Sequence, residues 1–203
     1  MQDRVSRTIQ KYNEIADDYA KKIANRLPKS NLDYFLKLLP KSAKVLEIGC
    51  CAGRDTNYLH EHGVDVIGID LSEKLIQIAQ KKYPKLTFQI CDMRKLPFAG
   101  SSFDGIWVHS VFHHLEKSEM TSTLQEWARV LKKDGVIYLR TKMGQGNWKG
   151  KDSLSVNQER EFILLMPDEL EQMFSQIGLQ KISLEKEKDL TRDIDWIRVF
   201  YRK

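Results

Sequence analysis

The amino-acid sequence predicts an α/β domain in which helices cover both faces of a mostly parallel sheet. Short apolar runs typical of buried strands alternate with segments of helical periodicity along the 203 residues. The first run, residues 45–48, leads through a glycine-containing turn into a helix. The second run ends about twenty positions further on at Asp70, where nucleotide-binding α/β folds place an acid that binds ribose hydroxyls.

The composition indicates one soluble globular domain over residues 1–203. No apolar run approaches a membrane span and no secretory segment follows the N-terminus, so we expect a cytoplasmic protein without a membrane partner. The net charge of +5 is compatible with nucleic acid, but the scattered basic residues fit solvated helix faces better. Three cysteines fit a reducing compartment, and no metal site is expected because the spacing of zinc ligands is missing.

The predicted elements follow one another in a regular order. Pro28 and Pro40 end two amphipathic helices, 6–24 and 31–39, which we expect to form N-terminal cap helices within residues 1–40. The next elements are a strand at 45–48, a helix at 55–62, a strand at 64–70, a helix capped by Ser72, strands at 86–90 and 103–108, a helix at 117–131 and a strand at 135–141.

The carboxyl ends of the predicted parallel strands define the expected ligand edge, because chain order and right-handed crossovers bring them together. Such ends are occupied by Glu47, Asp70, Asp92 and residues 108–109. Residues 142–166 then lack a clear period, and a long irregular insert here is typical of a lid or substrate-binding loop. The chain closes with a helix from Pro167 to Gly178 and strands at 179–187 and 196–201.

Four segments lie at the ends of these strands or along them. They are Glu47-Ile48-Gly49-Cys50-Cys51-Ala52-Gly53, Asp70, Cys91-Asp92-Met93 and residues 102–108. Together they resemble the class I S-adenosylmethionine-dependent methyltransferases, in particular the small, single-domain type 11/25 group. In that family the first motif is an acid followed by glycines at alternate positions, and Cys51 replaces the middle glycine here. The segment Tyr12-x-x-x-Ala16-x-x-Tyr19 also resembles the cap helix of small methyltransferase domains.

The resemblance implies a three-layer, doubly wound sandwich whose seven-stranded sheet ends in an antiparallel hairpin, with S-adenosylmethionine as the cofactor. It implies that Asp92 accepts a hydrogen bond from the adenine amino group; the other interpretation of Asp92 is a turn residue. In the family the tyrosines help close the pocket; the other interpretation of Tyr12 and Tyr19 is packing against the sheet. The implied cofactor-binding residues are Tyr12, Tyr19, Glu47, Gly49, Cys51, Gly53, Arg54, Asp70, Leu71, Asp92, Met93, Val108 and His109.

Two histidines and one arginine are the catalytic candidates. A histidine can take a proton near neutral pH, and His109 directly follows the fourth strand. His113 belongs to a His-His-Leu segment that in related enzymes mostly supports the helix and the cofactor pocket, so structural and catalytic interpretations both stand. Arg160, or Glu159, is hypothesised to reach the acceptor from the lid, against the alternative of a solvated loop charge. A dedicated base is needed only for an acceptor such as a hydroxyl.

The leading functional hypothesis is in-line transfer of a methyl group from S-adenosylmethionine to an O, N, S or C nucleophile of a small molecule. One alternative is an RNA (tRNA) or protein methyltransferase, with which the basic charge is compatible. Another is a non-catalytic regulator that binds S-adenosylmethionine, for which Cys51 is the hint. A dehydrogenase is disfavoured because Gly49-x-Cys51-x-Gly53 lacks the Gly-x-Gly-x-x-Gly spacing. The oligomeric state is left open.

Overall fold

A computed structural model describes residues 4–151, 154, 159–189 and 194–203 of the chain. The strands are β1 Lys44–Ile48, β2 Asp65–Asp70, β3 Thr87–Ile90, β4 Phe103–His109, β5 Leu131–Lys142, β6 Asn147–Gly150, β7 Arg160–Ile163, β8 Gln180–Glu187 and β9 Trp196–Arg202. The helices are α1 Arg4–Glu14, α2 Ala16–Ile23, α3 Lys29–Leu38, α4 Arg54–Glu61, α5 Glu73–Lys82, α6 Lys117–Val130 and α7 Pro167–Gln176, and a short 3₁₀ helix covers Phe112–His114.

The described residues form a seven-stranded sheet in the order β3-β2-β1-β4-β5-β9-β8. Strands β1 to β5 are parallel, whereas β9 and β8 run antiparallel and finish the sheet. The chain leaves β1 toward β3 on one side and returns to β4 and β5 on the other, so the order reverses between β1 and β4. In α/β sheets a ligand binds outside the carboxyl ends at such a reversal. The predicted doubly wound architecture with an antiparallel end is confirmed.

The prediction of one continuous helix over residues 6–24 is wrong, because the helix breaks at Ile15. This residue has φ −107° and ψ 9° and separates α1 from α2. In a straight helix, residues seven positions apart stand about 10 Å apart along the axis. The break brings Tyr12 and Tyr19 into a T-shaped contact with 5.1 Å between ring centroids. The helical periodicity continues through the break, which explains why the sequence pattern did not reveal it.

The insert predicted to be irregular, residues 142–166, contains a small antiparallel sheet. Strands β6 and β7 pair with Trp148 opposite Phe162, and their rings stack at 5.2 Å. Strand β7 in turn packs on the 3₁₀ helix, since Phe162 lies edge-on to His113 at 4.8 Å. The insert is therefore a hairpin fastened over the carboxyl edge of the main sheet.

The helices bury apolar side chains on both faces of the sheet. One cluster joins the sheet to α6 and α7 and includes Trp127 and Phe174, both with 0% exposure. The other joins it to α3 and α4 and includes Phe35 and Trp107, also with 0% exposure. These two layers hold the strand ends in fixed positions. Within the described ranges, no helix combines the length and the apolar character needed to cross a membrane.

Candidate active site

A cavity of about 610 Å³ lies at the carboxyl edge of the sheet, where the order of the strands reverses. Its floor is formed by the ends of β1, β2 and β4 and the turns that follow them. Helices α1 and α2 cover it, and residues of β5, β7 and β9 line its far side. The cavity thus has one half at β1 and β2 and a second half at β5 and β9.

The turn after β1 uses left-handed backbone at three alternate positions. Gly49, Cys51 and Gly53 have φ values of +75°, +54° and +78°. A Cβ atom on Gly49 would stand 2.8 Å from Cβ of Val111, and one on Gly53 would stand 2.6 Å from Cζ of Phe88. The left-handed backbone at these positions therefore explains why the motif has glycines at alternate positions. Cys51 meets it at a strain cost of roughly 1–2 kcal/mol.

The carboxylate of Asp70 is fixed against this turn. One oxygen accepts a hydrogen bond from the backbone N–H of Cys51 at 3.0 Å, and the other accepts one from Ser72 at 2.9 Å. Burial raises the pKa of Asp70, and the two backbone donors oppose that rise. The side chain lines the cavity. Its position relative to the turn is therefore set by β2 and by the start of α5 together.

Glu47 is a buried acid at the floor of the cavity, with 4% exposure. Its carboxylate accepts a hydrogen bond from the hydroxyl of Thr56 on α4. Burial, and secondarily the charge of Asp55, raise the pKa of Glu47 well above the usual range. A buried carboxylate is costly unless a cation or donors offset its lost hydration. This carboxylate therefore favours a positively charged ligand group beside it.

Arg54 connects the half of the cavity at β1 and β2 to the covering helices. Its Nε donates to Asp55 at 2.6 Å, and its Nη1 donates to the carbonyl of Ile23 at the end of α2 at 2.9 Å. Asp55 also accepts a hydrogen bond from the indole of Trp107 at 3.0 Å. A cation at the carboxyl end of a helix interacts favourably with the unpaired carbonyl groups there. Arg54 thereby holds α2 in place over the cavity.

The covering helices are fastened to the far side through Tyr12. Its hydroxyl lies 3.1 Å from Nε2 of His114 and accepts a hydrogen bond from Nη2 of Arg160. The Arg160 guanidinium also stands 5.7 Å from the ring centroid of Tyr19. On the other side of α1, Asn13 accepts a hydrogen bond from the hydroxyl of Ser72 at 2.7 Å. The covering helices are thus fastened to both halves of the cavity.

His109 and His113 line the cavity from the end of β4 and the 3₁₀ helix. Nδ1 of His109 lies 3.1 Å from the hydroxyl of Tyr138. Nδ1 of His113 is buried and has no hydrogen-bond partner among the residues that the structure describes. Burial lowers the pKa of His113 well below the usual range, and the charges of His114 and Lys142 add to this effect. His113 is therefore neutral at physiological pH.

Most predicted site residues come together around this cavity. Its lining includes Tyr12, Tyr19, Glu47, Gly49, Cys51, Arg54, Asp70, Leu71, Met93, His109, His113 and Arg160. Gly53, Asp92 and Val108 are described but lie outside the lining. Gly53 is the N-cap residue directly before α4, and Val108 is buried in the core with 0% exposure. The carboxylate of Asp92 is bound by Arg94 at 2.7 Å, so its role toward adenine stays a prediction.

The sequence interpretation missed cationic residues on the far side of the cavity. These are Arg140 and Lys142 at the end of β5 and Arg198 near the start of β9. The sequence contained a signal for two of them: residues 140 and 142 are charged and stand at alternate positions directly after the run 136–139. The described residues hold no group of three or more histidine, cysteine or acidic side chains that could bind a metal ion.

Sequence comparisons match part of this chain to known methyltransferases. A family model described as a methyltransferase domain matches residues 46–139, from β1 into β5. An uncharacterized methyltransferase of Synechocystis is 29% identical over 61% of this chain and 56% of its own length. The tRNA (carboxymethyluridine(34)-5-O)-methyltransferase of Xenopus tropicalis is 33% identical over 63% of this chain and 20% of its own length. The chain spans about half the length of the first curated relatives it matches.

Solved structures show the same fold. The 1,6-didemethyltoxoflavin-N1-methyltransferase of Burkholderia thailandensis, solved with 1,6-didemethyltoxoflavin and S-adenosylhomocysteine, superposes with a TM-score of 0.75 at 20% identity. The match covers 98% of this chain and 86% of that one. A methyltransferase of Methanosarcina mazei gives a TM-score of 0.73 at 19% identity over 84% of this chain and 96% of its own. Residues 46–139 therefore match a methyltransferase domain, and the chain as a whole has the fold of these solved structures.

Proposed function

We propose that this protein is an enzyme that transfers a methyl group from S-adenosylmethionine to a nucleophile on a small organic molecule. The observation that carries the proposal is one continuous cavity with two chemically different halves. The half at β1 and β2 carries Glu47, Asp70 and the glycine turn, and the half at β5 and β9 carries histidines and cations. Such a cavity can hold a cofactor and an acceptor side by side.

The residues of the first half fit S-adenosylmethionine. Each oxygen of Asp70 uses one lone pair on a backbone N–H, and each retains capacity to accept a hydroxyl. Gly49 lines the cavity and has no side chain, so a ligand there meets bare backbone. The buried carboxylate of Glu47 suits a positively charged group. When bound, S-adenosylmethionine supplies an electrophilic methyl group on a positively charged sulfur.

The chain's own contribution is to orient the acceptor and to exclude water. Orientation of this kind can contribute roughly 7–11 kcal/mol in well-aligned systems. The contacts of Tyr12 with Arg160 and His114 close the cavity above the reacting groups. Neutral His113 lines this space and is the candidate base for a hydroxyl acceptor, and its lowered pKa makes it a weak one. An acceptor that is already deprotonated needs no such base.

The size of the cavity supports a small acceptor over a macromolecule. A volume of about 610 Å³ falls in the range of roughly 300–1,000 Å³ typical of small-molecule sites. The relative from Burkholderia thailandensis is named for a small heteroaromatic acceptor, whereas the relative from Xenopus tropicalis is named for a tRNA.

The test is incubation with methyl-labelled S-adenosylmethionine and fractionated cell extract. We expect label in the low-molecular-weight fraction. Label that ribonuclease removes, with binding that weakens steeply as salt is added, would replace the small acceptor by RNA. Cofactor binding without label in any small-molecule, RNA or protein pool would instead identify a regulator. Failure to bind S-adenosylhomocysteine in a calorimetric titration would contradict the proposal as a whole.

A further inference from the structure

Three cations share one face of the sheet at the second half of the cavity. In the antiparallel pair of β5 and β9, Arg140 stands directly opposite Arg198, and Lys142 stands opposite Trp196. Residues 140 and 142 point to the same side because side chains alternate along a strand. All four side chains line the cavity. We call this group, Arg140, Lys142 and Arg198, the cation cluster.

This arrangement is unfavourable for folding alone. Like charges directly opposite each other across two strands destabilise the pair. Arg140 is 8% exposed and Lys142 only 1%, so their charges have lost most of their hydration. Burying a cation costs free energy unless a partner offsets it. A sequence that concentrates cations at such a place therefore indicates a use for positive charge there.

Contacts among the described residues offset part of this cost: Nη1 of Arg140 donates to the hydroxyl of Ser110 at 3.2 Å, Nη1 of Arg198 donates to the side-chain oxygen of Asn31, and two carboxylates bind the arginines at the rim. Glu187, whose side chain is 42% exposed, binds Arg140 through Nη2 at 2.9 Å and Nε at 3.2 Å. Glu185, whose side chain is 56% exposed, binds Nη2 of Arg198. On the inner side the groups meet aromatic faces: Arg140 lies 3.7 Å from the ring centroid of Trp196, and the Lys142 ammonium lies 4.2 Å from it.

The cation cluster lies away from the half of the cavity at β1 and β2, which is proposed to hold the cofactor and is called the cofactor half below. Strand β5 is two positions from β1 in the sheet and β9 is three, which corresponds to about 10 and 14 Å at the usual strand spacing. The cofactor half has its own cation at the cavity wall in Arg54. The charge of the cluster also reaches His113, whose pKa is lowered first by burial, then by His114, and then by Lys142, Arg160 and Arg140. The charges of the cluster thus act on a group inside the second half of the cavity.

We infer that the cation cluster is a binding subsite for an anionic group, a carboxylate or a phosphate, on the methyl acceptor. The inference rests on the proposed function and adds the chemical class of the acceptor. Nε of Arg198 is buried and has no hydrogen-bond partner among the described residues, and guanidinium N–H groups match the oxygens of carboxylates and phosphates. Trp196, which lines the cavity and on whose ring the Lys142 ammonium lies, provides an apolar wall for the rest of the acceptor.

The experiment titrates protein saturated with S-adenosylhomocysteine with benzoate, phenyl phosphate and benzamide, which share one ring and differ in charge. We expect at least one of the two anions to bind roughly tenfold or more tightly than the amide. Comparison of benzoate with phenyl phosphate decides between carboxylate and phosphate. Equal affinity for all three probes, or binding of none of the three, overturns the inference.

Variants locate the site of this preference. Arg140→Gln and Arg198→Gln should each weaken anion binding roughly tenfold to a hundredfold and leave the affinity for S-adenosylhomocysteine unchanged. Lys133→Gln, which removes an exposed cation outside the cavity, is the matched control and should change neither affinity. Anion binding that survives in both arginine variants overturns the inference. If one variant does not fold, as judged by its melting curve, the other carries the test.

The two proposals fail in distinguishable ways. Loss of S-adenosylhomocysteine binding in the unaltered protein contradicts the proposed function, and the anion titration can then be read on the protein alone. Normal binding of S-adenosylhomocysteine with no preference for anions contradicts only the subsite. Benzoate that competes with S-adenosylhomocysteine, rather than binding beside it, would also overturn the subsite, because the cluster would then belong to the cofactor half.

Discussion

The substitution Asp70→Asn tests the location of the cofactor half most directly. The change keeps the shape of the side chain and one acceptor oxygen, but it removes the negative charge. A hydrogen bond to a charged group contributes about 1.5–3 kcal/mol. At about 1.4 kcal/mol per tenfold change, losing one such bond should raise the dissociation constant for S-adenosylhomocysteine roughly tenfold to a hundredfold.

This variant should lose about 1 kcal/mol of unfolding free energy, because the NH₂ group of the amide leaves one of the two backbone N–H groups without an acceptor, while the neutral side chain avoids the cost of a buried charge. Asp70→Ala is more severe, since the N–H groups of Cys51 and Ser72 lose their acceptor, at a cost of order 1–3 kcal/mol in unfolding free energy. Calorimetric titration gives the affinity and a melting curve gives the stability. Asp65→Asn, at the exposed opposite end of β2, is the matched control and should bind normally. Wild-type affinity in Asp70→Asn would refute the assignment of the pocket.

Three further predictions concern the turn, the cap and the buried acid. Gly49→Ala should lower the unfolding free energy by roughly 2–4 kcal/mol, because the left-handed backbone is strained and the new Cβ meets Val111. The control Gly63→Ala, at φ +83° with open space around it, should cost about 1 kcal/mol. Equal losses in thermal melts would show that the contact with Val111 relaxes. Tyr12→Phe removes the hydroxyl that joins the cap to β7 and should cost about 1–2 kcal/mol in urea denaturation, and an unchanged midpoint would contradict that role. Because burial raises the pKa of Glu47 above the ordinary 4.5, the unfolding free energy should fall as pH rises from 4.5 toward the raised folded value, and Glu47→Gln should flatten this fall; parallel pH curves for both proteins would argue against the shift.

The strand ends of the cofactor half could be predicted because local pattern and chain order determine them. The apolar run at 45–48 has to be buried, and a glycine turn followed by a helix leaves its carboxyl end at the reversal of the sheet. Asp70 follows from the same rule one strand further. The positions of both acids in the cavity agree with this reasoning.

The second half of the cavity depends on pairing between distant segments, which local pattern does not encode. Arg140 and Arg198 meet only because β9 pairs antiparallel with β5 in one particular register. Strand β6 is short, polar and glycine-containing, so its pairing with β7 left no alternating pattern to recognise. Asp92 fitted a family position in sequence, yet its carboxylate is engaged by Arg94, an i+2 contact that the motif does not specify.

The two adjacent cysteines in the glycine turn carry a consequence for the protein's own chemical integrity. Both thiols line the cavity in which an alkylating cofactor is proposed to bind. Burial, reinforced by the nearby charge of Asp70, raises the pKa of Cys50 and of Cys51 well above neutral pH. Only the thiolate form of cysteine is a strong nucleophile. Because both thiols stay protonated, they are poor acceptors for the methyl group. Self-methylation of the cavity wall by the bound cofactor is therefore disfavoured.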